Sequence, residues 1–264
     1  MKWRTHIAIA KEISKALNLP RELERELCEG IVEPDKFPDE VWKVGRRGRL
    51  YRSYMSHHSP EIGVIMDYIW NARLSYLKGD DLRAMRSLGR ALHYVQDMSV
   101  SKGFLGLSHD SKEEIVSSLK TPREAIEKGI RGAVNSPRYV KNIVNSVKPK
   151  KDPNEAMLQA CMVSAAIAKA VISEKEPSEE LIMDFKLAKE RYESRTIPIA
   201  MLVSILVFVF FFSIHPILSL LAILAGYVVQ RMDTRYHELK EMARWFGIER
   251  IEKSNISKKN DEVK

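Results

Sequence analysis

The sequence predicts an all-α fold, on three observations. Apolar residues recur at helical spacing through most of the chain, no run alternates cleanly enough to be a strand, and residues 197–229 form an apolar block without one Lys, Arg, Asp or Glu. These features divide the chain into a multi-helix domain over 1–195, a membrane segment over 196–231 and a charged tail over 232–264. The 264 residues are 45% hydrophobic and 30% charged, the composition of a folded protein rather than a disordered one.

The elements follow in order. Ile7, Ala10, Ile13, Ala16 and Leu17 make one stripe over 4–18, and Leu19-Pro20 ends that helix. A short helix over 21–29 stops at Gly30. Residues 30–59 read as irregular, punctuated by Pro34, Pro38 and Gly48 and made basic by Arg46, Arg47, Arg49 and Arg52. Ser59-Pro60-Glu61 opens a long helix to about Leu77, Lys78-Gly79-Asp80 is a turn, and another helix covers 80–98. After a Ser/Gly-rich loop over 99–110, helices are expected over 111–118, 122–133, 136–146, 153–173 and 178–194. The broad apolar face of 153–173 marks it as core. The helix over 178–194 leads directly toward the apolar block.

As one straight helix, that block would extend about 50 Å, against a hydrocarbon core of about 30 Å. Pro216 removes a backbone donor and breaks such a helix. Two short spanning helices are therefore expected, at about 197–213 and 216–231, with a re-entrant hairpin as the alternative. Lys186, Lys189, Arg191 and Arg195 precede the block, and Arg231, Arg235, Lys240 and Arg244 follow it. Positive charge on both sides places both ends in the cytoplasm, which a hairpin satisfies and a single span does not. The expected location is the cell membrane, multi-pass, with the main domain cytoplasmic. His215 then falls at the hairpin tip, at the interface. Residues 1–10 show no apolar h-region or cleavage site, so no signal peptide is expected.

A net charge of +8 suits nucleic acid or anionic lipid and does not choose between them. Cys28 and Cys161 form neither a disulfide framework nor a CxxC metal pair, which fits a reducing compartment.

Five of the seven histidines, His6, His57, His58, His93 and His109, precede residue 110. His93 and Asp97 stand four apart on a helix, which puts imidazole and carboxylate on one face, where they can ligate one divalent ion or let the carboxylate bridge two. His109 and Glu113 repeat that spacing. A single such pair is usually a hydrogen-bonded one. The ordered series His6, Asp35, His57, His93, Asp97, His109 and Glu113 points to metal.

In that order the residues resemble the zinc-dependent phospholipase C and single-strand-specific nuclease family, over roughly residues 3–118. Thr5-His6-Ile7 is similar to the family's first histidine, Gly30-Ile31-Val32-Glu33-Pro34-Asp35 to its loop ending in a zinc-binding aspartate, and Ser56-His57 to its Ser-His ligand. Leu92-His93-Tyr94-Val95-Gln96-Asp97 is the nearest likeness, to its Leu-His-Tyr-x-x-Asp helix, and Ser108-His109 through Glu113 resembles its late His-x-x-x-Glu pair. The resemblance implies an all-α zinc-dependent phospholipase C-like domain carrying one to three zinc ions. One ion would take Asp35, His57, His93 and Asp97, a second would share Asp97 and use His6, and a third would use His109 and Glu113. Asp35 would also act as general base for the attacking water. Two positions depart from the pattern: Gly103 stands where the family has a histidine, and Trp3 follows Met1 and Lys2 where the family has a free N-terminal tryptophan.

The resulting expectation is a membrane-anchored hydrolase of phosphoric esters acting on phospholipid headgroups. The alternatives are a nuclease or phosphatase of the same fold, with nucleic acid as partner, and a non-catalytic membrane protein retaining part of the metal site. The basic run from Lys43 to Arg49 suits either anionic headgroups or a nucleic-acid backbone.

Overall fold

In a computed structural model that describes residues 1–56, 60–101 and 119–248, the chain forms two units, Met1–Lys175 and Glu176–Lys264. The expected ligands His57, His109 and Glu113, and the expected helix over 111–118, lie outside the described residues. Both units are mostly helical.

In the first unit, α1 (Trp3–Ala16) buries Ile9, Ala10 and Ile13 on one face together with Thr5 and His6. Helix α2 (Arg21–Lys36) carries Glu22 and Glu24 in its first turn and Lys36 in its last, each complementing the helix dipole. It does not stop at Gly30, as the sequence suggests, but runs on through Pro34. The reason is packing. A Cβ at Gly30 would lie 2.1 Å from the carbonyl oxygen of Arg86 on α4 (Asp81–Met98), and one at Gly89 would lie 2.5 Å from that of Leu27. The two glycines let the backbones of α2 and α4 touch, and that contact outweighs a propensity cost of about 1 kcal/mol.

Residues 40–54 correct the sequence reading, which expects no strand. Strands β1 (Glu40–Val44) and β2 (Leu50–Tyr54) form an antiparallel hairpin pairing Glu40 with Tyr54, Trp42 with Arg52 and Val44 with Leu50. Val41 is the one buried residue of the two strands, so no apolar/polar alternation was written into them. Their signal is composition: Val, Trp and Tyr favour the extended chain. Gly48, at φ 71°, closes the turn.

Helix α3 (Ile62–Leu77) and α4 (Asp81–Met98) follow, the latter capped by the Asp80 carboxylate on the Arg83 amide. Every residue from Ala91 to Asp97 is buried, so α4 runs through the middle of this unit with its polar groups on the inside. Helices α5 (Arg123–Arg131) and α6 (Pro137–Ser146) lead to α7 (Pro153–Val171), whose first turn is set by Asp152 as cap and Pro153 at the first helical position. Helix α5 meets α7 at Gly129, where a Cβ would lie 2.2 Å from the Met162 carbonyl oxygen. Arg73 of α3 is fully buried and gives its guanidinium to the carbonyls of Val171, Ser173 and Glu174, satisfying the open end of α7.

In the second unit, α8 (Glu179–Arg191) passes through one π turn, Tyr192–Thr196, straight into α9 (Ile197–Phe212). The continuous helix Glu179–Phe212 is long and apolar enough to cross a membrane, and almost none of its apolar window is buried by protein. The chain then turns back through a 3-10 segment, Pro216–Leu220, into α10 (Leu221–Met232). A Cβ at Gly226 would lie 2.2 Å from Ser204 Oγ, so α9 and α10 touch through small residues. After Asp233, α11 (Thr234–Trp245) packs on α8. Phe185, Ala188, Tyr192, Tyr236, Ala243 and Ile248 form their shared core, with the rings of Tyr192 and Tyr236 stacked at 3.9 Å.

Candidate metal centre

Three helices of the first unit deliver polar side chains to one point. Helix α1 brings His6 on its buried face, the end of α2 brings Asp35, and α4 brings His93, Gln96 and Asp97 from its buried last turns. One ligand atom each from His6, Asp35 and His93 fall within 4.8 Å of one another. Asp97 spans the two imidazoles. Its Oδ1 lies 3.3 Å from His6 Nε2 and its Oδ2 lies 3.3 Å from His93 Nε2. His93 Nε2 is also 3.6 Å from Asp35 Oδ1. Ligand bonds of about 2.0–2.1 Å in a tetrahedral zinc site separate neighbouring ligand atoms by about 3.3 Å. The His93–Asp35 separation is close to that size, and Asp97 meets each imidazole through a different oxygen.

Outer contacts set which nitrogen of each ring faces inward. His93 Nδ1 lies 2.8 Å from the Ile31 carbonyl oxygen, which only accepts, so Nδ1 donates. His6 Nδ1 lies 2.7 Å from Gln96 Oε1, and Gln96 is oriented by its own bond from Nε2 to Ser164 Oγ at 3.2 Å. Both rings therefore turn Nε2 to the centre. An imidazole held through Nδ1 by a carbonyl or amide oxygen is the usual outer arrangement of a metal-binding histidine.

His6 Nε2 is buried and makes no hydrogen bond, although Asp97 Oδ1 is near it. Burial, and then the charge of His93, hold the His6 pKa below its ordinary value, against the opposing pull of Asp97. That favours the neutral ring, with Nε2 turned to Asp97 Oδ1. His6, His93 and Asp35 offer two imidazoles and one carboxylate to a single point, a donor set that zinc accepts with a water completing the shell. The residues present therefore fit a metal ion. The Met1 α-amino group also rests against Asp97 Oδ1.

The site is dry on one side and open on the other. His6 and His93 are fully buried, whereas the Asp35 side chain is 26% exposed and marks the side that solvent reaches. The structure groups His6 with Asp35 and His93, where the family resemblance divides them between two ions.

A second polar cluster, which sequence reasoning missed, stands beside it. Asp39 accepts from Tyr68 Oη at 2.5 Å, from Tyr94 Oη at 2.6 Å and from Arg90 Nη2 at 2.9 Å. Burial first, then the Asp39 carboxylate, push both phenols well above their ordinary range, so they remain donors. The edge of Tyr94 meets the His93 ring at 5.4 Å. The cluster ties the entry to β1 onto α3 and α4 and buttresses His93. Gln96 was missed as well. Its signal was a polar side chain next to Asp97 on a helix buried all round. The Ile31 carbonyl carries no sequence signal.

Comparisons with protein-family models, curated proteins and solved structures found no match to this chain.

Proposed function

We propose that the chain is a membrane-anchored, metal-dependent phosphodiesterase of the zinc-dependent phospholipase C and nuclease kind, hydrolysing phospholipid headgroups. The observation that carries this reading is the convergence of His6, Asp35 and His93, one ligand atom of each within 4.8 Å of the others, with both imidazoles buried. His6, Asp35 and His93 would hold a zinc ion, with Asp97 linking the two imidazoles. The resemblance extends the complement to as many as three ions through His57, His109 and Glu113.

When bound, zinc supplies Lewis-acid activation of water and of a phosphoryl oxygen. The chain's own residues do the rest. Gln96 and the Ile31 carbonyl hold the two rings so that both lone pairs face inward. Asp35, the exposed member of the group, faces the arriving substrate and accepts the proton of the attacking water. The Asp39 cluster keeps α4 in register with the end of α2, and so keeps His93 on Asp35.

The second unit supplies the anchor. Helix α9, the turn at Pro216 and α10 make a transmembrane hairpin with both ends cytoplasmic, a reading supported by the basic residues on both flanks. The approach of Gly226 to Ser204 is how helices associate in lipid, through small residues. Anchoring raises the effective concentration of a lipid substrate at the site.

Elemental analysis of the purified chain, followed by assays on phospholipid vesicles and single-stranded DNA with and without chelator, tests the proposal. Bound zinc is expected, with headgroup release abolished by chelator and by His93→Ala. Cleavage of DNA but not lipid would move the chain to the nucleases. A metal-free protein, or activity undiminished in His93→Ala, would sink both enzymes in favour of a non-catalytic membrane protein.

A further inference from the structure

The β1–β2 hairpin has two unlike faces. Cross-strand partners share a face, so Trp42 with Arg52, Val44 with Leu50, and Glu40 with Tyr54 lie on one side, and Val41 and Lys43 lie on the other with Ser53 and Tyr51. Val41 is buried, so its side faces the first unit. The opposite face is bare: Trp42 is 61% exposed, Val44 69%, Leu50 66% and Tyr54 67%. Four large apolar side chains thus stand mostly exposed on one face of the hairpin.

The charge around the turn has one sign. Lys43, Arg46, Arg47 and Arg49 surround the turn, and from Val41 to Pro60 the sequence has no Asp or Glu. Among the described residues, Arg52 pairs with Glu40 at 3.3 Å, and it also lies over the Trp42 ring at 5.3 Å. A positive rim attracts an anionic surface. Trp and Tyr suit the headgroup layer, where one end of the ring is apolar and the other wet. Among the described residues no further strand pairs with either edge of the hairpin, so it stops in that layer, where its backbone groups still reach water.

We propose that this hairpin is a second, peripheral membrane contact, seating Trp42, Val44, Leu50 and Tyr54 in the headgroup layer of an anionic bilayer with the arginines of the turn on the lipid phosphates. It rests on the reading that the second unit is in a membrane. Anionic lipid is favoured over single-stranded nucleic acid because half of the face, Val44 and Leu50, is aliphatic and stacks on no base.

The test uses the full chain with Cys28→Ala, reconstituted in vesicles. An environment-sensitive fluorophore is placed in turn at Leu50→Cys, at Val134→Cys on an exposed loop of the first unit, and at Phe208→Cys in α9. A quencher carried on the lipid acyl chain reads depth. In vesicles containing phosphatidylserine, the label at residue 50 should be quenched several-fold more than the label at 134, and that excess should fall in pure phosphatidylcholine. Replacing Arg46, Arg47 and Arg49 together by Glu should remove it. If the label at 50 stays as exposed as that at 134 while the label at 208 is quenched, the hairpin proposal is wrong and the membrane anchor stands. If the label at 208 also stays in water, both are wrong. A response of the label at 50 to single-stranded DNA and not to anionic vesicles would overturn the lipid assignment in favour of nucleic acid.

Discussion

His6 and His93 lie ring over ring, 4.4 Å between centroids and 28° from parallel, although one is on the first helix of the chain and the other on α4. Stacked this way, the His93 ring opposes protonation of His6, and both rings turn Nε2 toward Asp97. What keeps the pair in place is the ring of acceptors behind it.

Gln96 is the acceptor most open to test. Gln96→Leu removes the oxygen that fixes His6 Nδ1 and frees the ring to turn. Zinc affinity should fall by about 10–100-fold, the usual loss when an outer partner of a ligand is removed. Competition against a fluorescent chelator measures it, with helical circular dichroism as the check on folding. Unchanged affinity would mean that His6 is not a ligand.

The glycine contact between α2 and α4 sets the distance from the Ile31 carbonyl to His93. Gly89→Ala and Gly30→Ala each drive a methyl group into the facing backbone. Each should cost about 1–3 kcal/mol or more, as overpacked cores do. Each should also weaken zinc binding, because α2 carries both Ile31 and Asp35. Gly63→Ala on α3 is the control, since a Cβ there meets nothing within 4 Å. Its zinc affinity should match the parent's, and its melting temperature should be equal or slightly higher, since alanine is the better helix former.

These residues also show how much the sequence carried. Helices α1, α3, α4 and α7 were legible from period, and the His93–Asp97 pair from its spacing, because both are local. The extent of α2 was not legible. Gly30 reads as a stop until the Arg86 carbonyl is placed against it, and that contact joins residues far apart in sequence. The hairpin was missed because neither strand is buried on one side along its length, so no alternation was selected. The seating of His6 beside His93 depends on how α1 lies across α4. Periodicity gives the buried face of α1 but not what that face meets.

Arg73 closes the carboxyl end of α7. Its guanidinium supplies donors to three carbonyls that no residue of the helix can reach, and its burial pulls the pKa down to about 10, still charged at neutral pH. Arg73→Met keeps the volume and removes every donor. The expected loss is about 3 kcal/mol, given charged hydrogen bonds of about 1.5–3 kcal/mol each and carbonyls left with partial access to water. Arg73→Lys should recover only part of it, since an ammonium lacks the planar fork. Thermal melting of the full chain in detergent checks the order: parent, then Lys, then Met. Equal stability of all three would remove the capping role.

Asp233 closes the other unit. Its carboxylate accepts from Arg191 Nη2 at 3.0 Å, Thr196 Oγ1 at 3.1 Å and the Tyr236 amide at 3.2 Å, joining the ends of α8, α10 and α11. Slight burial pushes its pKa up, but the Tyr236 N–H, the Thr196 hydroxyl and the Arg191 charge outweigh that and hold it below its ordinary value. An unfolded aspartate titrates near ~3.9. Because the folded value is the lower one, the stability it contributes is fully present above the unfolded pKa and is lost as pH falls through the folded pKa. Amide exchange of α11 in the reconstituted chain, expressed as protection factors, should therefore hold steady from neutral pH to about 4 and drop below it. Asp233→Asn keeps the shape without the charge. It should show lower protection in α11 at neutral pH and a smaller drop in acid. An acid step of the same size in both proteins would place the titrating group elsewhere in this unit.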